Sequence, residues 1–240
     1  MSDTTPEQVV DERLKAESFG SRMMKRPELG AIAGVVLVTI FFLITADSAM
    51  FTLSGFMNFM TPAAQLGILA IGAALLMIGG EFDLSIGSMV AFSGLFFAAA
   101  TVTFGLPLFI SIPATFVFAA AVGSINGVIV IRSGLPSFIV TLAFLFILRG
   151  LSLVGLKLAT GGSTQLRGVR DAVEDDWLAP FFSGDAFPGL FTWLAERGLV
   201  ETFNTGTPKV PGIPIEIIWF LLVALVATWV LLRPPVGNWI

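Results

Sequence analysis

The chain has 240 residues, 55% hydrophobic and only 12% charged, with 17 Asp and Glu against 13 Lys and Arg for a net charge of -4; a soluble domain carries about 25% charged residues. It contains no His, Cys or Tyr, which excludes Ser-His-Asp and Cys-His nucleophiles, thiolate metal sites and disulfides, leaving only carboxylate or Lys chemistry to an enzymatic reading. The acidic balance, with no basic stripe interleaved with aromatics, argues against nucleic acid as a partner.

In chain order, residues 1–28 are polar and mixed in charge and read as a cytoplasmic N-terminal tail or surface helix. They also resemble the front of a signal peptide, but Thr45-Ala46-Asp47-Ser48-Ala49 offers no clean small-x-small cleavage site. The remainder, 29–240, reads as an all-α integral membrane domain. Its apolar segments fall near 29–46, 62–78, 84–103, 106–131, 138–156 and 214–232, about six spans, each near the roughly 20 residues that cross a bilayer core.

Positive residues of short loops stay cytoplasmic. Arg13, Lys15, Arg22, Lys25 and Arg26 precede the first span, Arg132 follows the fourth and Arg233 the sixth. Both termini are therefore expected inside and residues 157–213 outside, as a long loop exempt from that rule. Within this loop, Phe187 to Gly198 suits a short helix, either interfacial or a plug over the bundle. Asp171, Glu174, Asp175 and Asp176 form an acidic cluster that reads as a solvated surface before a docking site.

The densest chemistry lies between two apolar segments, in Gly79-Gly80-Glu81-Phe82-Asp83-Leu84-Ser85-Ile86-Gly87-Ser88. A charge inside hydrocarbon costs roughly 2.5 to 3.5 kcal/mol and so faces a bundle interior or a cavity. Non-helical backbone at that depth survives only where protein or water covers it. The segment therefore reads as a broken or re-entrant element near residues 79–88, with Asp83 as N-cap of a helix starting near Leu84. Gly30-x-x-x-Gly34 and Gly123-x-x-x-Gly127 suit close helix packing, and Asn126 in the second pair needs a partner across helices.

The 78–88 segment, then Asn126-Gly127, then Gly134-Leu135-Pro136-Ser137-Phe138-Ile139-Val140-Thr141-Leu142 with Arg149-Gly150 following, resembles the permease subunit of bacterial ABC sugar importers of the ribose, xylose and arabinose type, over roughly residues 61–240. The resemblance implies a multi-pass inner-membrane subunit without catalytic residues, cofactor or metal. It would work in the lipid bilayer with a second permease subunit, cytoplasmic ATPase subunits and an external sugar-binding protein. Such permeases have about ten spans, and Arg233 to Ile240 looks like the start of their coupling loop, so the chain is expected to be truncated at its C-terminus.

The implied function is a translocation path for a monosaccharide or related polyol, with ATP hydrolysis on a separate partner because no Gly-x-x-x-x-Gly-Lys-Ser/Thr loop occurs. Ser85, Ser88, Asn126 and Thr141 are neutral path candidates, and Glu81 and Asp83 could accept sugar hydroxyls. Arg149 reads as a structural buried charge that snorkels outward or pairs with a carboxylate or carbonyl, ahead of a direct sugar contact. Two alternatives stay open: an ion-coupled secondary transporter using Glu81 and Asp83, and a non-transporting membrane scaffold fragment.

Overall fold

A computed structural model describes residues 28–233. The expected tail and the run after Arg233 therefore lie outside the described residues, Glu28 excepted. The chain divides into two compact units, residues 1–51 and 52–240.

In the first unit, α1 (Glu28–Thr45) is apolar from Leu29 onward apart from Thr39 and Thr45, whose hydroxyls donate to the carbonyls of Val35 and Phe41 at 2.7 and 2.8 Å. Such back-bonding hides polar atoms of a helix from apolar surroundings. A 3-10 turn at Ser48–Phe51 follows, opened by Asp47 Oδ1 accepting the Ala49 N–H.

The second unit holds α2 (Leu53–Ile78), α3 (Ile86–Ala98, continued by a π-turn at Ala99–Thr103), α4 (Leu108–Ser133), α5 (Ser137–Ala159) and the later α9 (Ile215–Leu232). These five helices are long and apolar enough to cross a membrane, whereas Leu29–Thr45 is shorter. At 1.5 Å per residue it spans about 26 Å of a core about 30 Å thick. The fold is all-α, as expected. The expected start of the second span at residue 62 is corrected: α2 begins at Leu53, because Thr52 Oγ1 accepts the Gly55 N–H at 3.1 Å and caps the helix there, and Pro62 is carried inside it.

Two packing groups form. α3 packs most extensively on α5, with α4 beside both, while α2 pairs with α9. Phe220 of α9 lies so close to Gly67 that any Cβ there would strike its ring.

The segment expected as a long loop has structure of its own: α6 (Val169–Val173), α7 (Ala179–Phe182), β1 (Asp185–Ala186), α8 (Pro188–Glu196) and β2 (Ile213–Pro214). The two short strands pair antiparallel, and α8 occupies the expected short helix. Trp219 Nε1 donates to the Phe181 carbonyl at 2.7 Å and its ring stacks on Phe182, tying this cap to α9. Asp176 Oδ2 accepts the Leu108 N–H at 2.7 Å and its Oδ1 the Leu178 N–H at 3.0 Å. One acid of the cluster therefore caps the N-terminus of α4 instead of lying in solvent, because a helix leaves its first N–H groups unpaired.

Candidate functional site

α2 stops at two glycines. Gly80 adopts φ 82°, its N–H donates to Met77 O at 3.0 Å, and the Glu81 N–H donates to Leu76 O at 3.1 Å. This is a Schellman ending, in which a left-handed residue lets the chain turn back on the last carbonyls.

Residues 81–84 then run outside any helix and are held by α5. The Phe82 N–H donates to Ser137 Oγ at 3.0 Å and the Leu84 N–H to Thr141 Oγ1 at 3.1 Å, while the Thr141 hydroxyl donates to Ser137 O at 2.9 Å. Ser137 and Thr141 lie one helical turn apart, so both hydroxyls face the same way. Asp83 Oδ1 accepts the Ser85 N–H at 2.7 Å and the Ser85 hydroxyl at 2.6 Å. The broken element expected at 79–88 is present.

The expected capping is corrected in detail. The helix starts at Ile86 with Ser85 at the N-cap position and no side-chain cap bond. Thr141 takes the Leu84 N–H and keeps the chain bent there, so Asp83 closes the turn before the helix instead of capping a helix at Leu84.

The six path candidates fall in different places. Glu81, Asp83, Asn126 and Thr141 line a cavity of about 320 Å³ near the α2–α3 break, together with Ser137. Glu81 is exposed, and among the described residues its carboxylate has no hydrogen bond or ion pair. Asn126 is buried; its Nδ2 donates to Ser85 Oγ at 3.4 Å and its Oδ1 has no partner. Ser85 is fully enclosed and lines neither this cavity nor the next. Ser88 lines a second cavity, of about 660 Å³, between α3 and α5, and its hydroxyl donates to Leu145 O at 2.9 Å.

Arg149 lines that second cavity too, well along α5 from the Ser137 end that holds Phe82. Among the described residues its side chain is exposed and makes no hydrogen bond or ion pair. The small residues Gly87, Ala91 and Gly94 opposite it on α3 leave it uncovered. Ser137 and Ser152 were not among the expected site residues. The i, i+4 spacing of Ser137 and Thr141 was the available signal for the first, and the i+3 spacing from Arg149 for the second.

Residues 55–240 match a family described as the branched-chain amino acid transport system / permease component. The chain is 28% identical over 210 residues to the ribose import permease protein RbsC of Haemophilus influenzae, covering 87% of this chain and 54% of that protein. It is 38% identical over 133 residues to the xylose transport system permease protein XylH of Escherichia coli, covering 55% and 33%. It is 40% identical over 95 residues to the inner membrane ABC transporter permease protein YjfF of the same species, covering 40% and 29%. The chain thus spans about half, or less, of the length of these relatives. No solved structure matches it.

Proposed function

The chain belongs to the branched-chain amino acid transport system / permease component family, and on that premise we propose that it forms part of the translocation path of an ATP-driven importer for a monosaccharide or related polyol. The observation that carries this reading is the likeness to ribose and xylose permeases, over 87% and 55% of the chain, together with a family match over 55–240 that includes the linings of both cavities. A neutral sugar needs hydrogen-bonding groups among apolar walls and weak enough binding to be released.

Within this reading the candidates divide by role. Asp83, Ser85 and Thr141, with Ser137, hold the interrupted backbone, while Glu81, Asn126 and Ser88 face cavities. The subunit performs no chemistry on its cargo. Cytoplasmic ATPase subunits, an external sugar-binding protein and a second permease subunit complete the importer in the inner membrane. Residues 1–28 form the cytoplasmic tail, 29–240 the membrane domain and 157–213 the external cap.

Proteoliposomes holding the permease with the ATPase and binding protein encoded beside it test the assignment: uptake of a neutral sugar should require ATP and both partners. The unpaired Glu81 carboxylate favours one competing reading, ion coupling. Accumulation that survives loss of the ATPase and collapses with a protonophore would replace the importer by that mechanism. Topology is tested separately with single cysteines at Ser18 and Ser163, since the chain has no thiol. An impermeant reagent applied outside should label position 163 alone; labelling of position 18 alone reverses the orientation.

A further inference from the structure

The second cavity combines three observations. Arg149 sits near the middle of the 23-residue α5 with no acid, carbonyl or hydroxyl of the described chain as partner. An unpaired guanidinium at that depth is costly unless it meets water or a ligand. Opposite it, a Cβ added at Gly87 or Gly94 would meet nothing within 4 Å, so these glycines leave open volume and not a tight packing seam. The space of about 660 Å³ lies within the range of small-molecule pockets.

The polar groups lining it are restricted in what they offer. The Ser88 hydroxyl donates to Leu145 O at 2.9 Å and the Ser152 hydroxyl to Leu148 O at 2.7 Å. With their protons engaged, both oxygens present only lone pairs to the cavity, whereas the guanidinium presents five N–H donors and no acceptor. A carboxylate or phosphate satisfies the Arg and not the serines, and an ammonium does the reverse. A hydroxyl satisfies both, because it donates and accepts.

We infer that this cavity is a water-filled polyol subsite, in which Arg149 donates to the oxygens of a neutral sugar and Ser88 and Ser152 accept from its hydroxyls. The inference rests on the importer reading and deepens it: the cargo-contacting groups are Arg149, Ser88 and Ser152, and the cavity beside Glu81 and Asp83 is not the principal sugar site. Leu166, from the cap, also borders the subsite.

Gly94→Cys supplies a probe, since the site is open and the native chain has no thiol. In membrane vesicles an anionic and a cationic methanethiosulfonate should both label it, the anionic reagent several-fold faster than it labels a cysteine at Ser163. Arg149→Gln should remove most of that preference while leaving the rate with the neutral methyl reagent unchanged, which shows that the fold persists. A panel of neutral pentoses, hexoses and inositols should contain a member that slows labelling several-fold, and Arg149→Gln should abolish that protection. Refusal of both charged reagents would show a dry cavity and overturn the inference. So would labelling that no neutral sugar slows, or protection that Arg149→Gln leaves intact. If ATP-dependent sugar uptake persists in those cases, only the subsite falls; if no neutral sugar is taken up at all, the importer reading falls with it.

Discussion

α2 and α9 meet across apolar surface, and their close approach depends on Gly67, whose missing side chain makes room for the Phe220 ring. α5 holds α3 and the segment leading into it through oxygen: Ser137 and Thr141 accept the Phe82 and Leu84 N–H groups, and Ser88 of α3 donates to Leu145 O. A side-chain hydrogen bond between membrane helices averages only about 0.6 kcal/mol, so these bonds are weak as glue. An unsatisfied backbone group in hydrocarbon costs several kcal/mol. The bonds of Asp83, Ser137 and Thr141 therefore matter most where the backbone stops being helical, whereas the α2–α9 pair packs by shape.

That contrast can be broken first at Asp83. Asp83→Ala strips the acceptor from both Ser85 donors and should cost about 2 to 3 kcal/mol, as expected for bonds to a charged group. Asp83→Asn keeps an acceptor and should stay within about 1 kcal/mol of the native chain, measured by unfolding in detergent micelles. Equal losses would mean that charge, not acceptor geometry, matters there.

The apolar pair should respond to volume instead. Gly67→Val should cost about 2 kcal/mol by overpacking, and most of that should return in Gly67→Val with Phe220→Leu. Simple addition of the two losses would place the ring elsewhere.

Ser137→Ala and Thr141→Val should each cost about 1 kcal/mol. The pair should cost less than the sum, because both bonds hold one short segment and losing either frees it; a double-mutant cycle measures the difference. Smallest is Asp176→Asn, expected to change stability by a few tenths of a kcal/mol, with Asp176→Ala nearer 1. Hydrogen exchange at Leu108 should accelerate in the alanine variant before global stability moves.

Legibility followed the range of the forces. The long apolar helices were readable because span length and hydropathy are local properties, and the break was readable because Gly79-Gly80 flanks carboxylates. The start of α2 was misplaced because Pro62 draws attention as a helix opener, while the cap that decides it is the modest Thr52. Asp176 could not be told from Asp171, Glu174 and Asp175 in sequence, since its partner Leu108 is 68 residues away. Arg149 was legible as a lone charge within a span, but its cavity was not, because that is built by the small residues Gly87, Ala91 and Gly94 of another helix.

The two glycines that end α2 also set where the molecule can bend. On their near side the last turn of α2 is closed by its own Schellman bonds, and on their far side the chain is fastened to α5 from Phe82 onward. A rotation about the Gly79 and Gly80 dihedrals leaves the side-chain bonds to α5 untouched and breaks the Gly80 and Glu81 N–H bonds that span the two glycines, while glycine itself tolerates a wide range of such angles. The α2–α9 pair and the α3–α4–α5 group are tied a second time through the cap, by Trp219 to Phe181 and by Leu108 to Asp176, so a tilt at the glycines strains these bonds as well before it changes the mouth of the cavity that Glu81 lines.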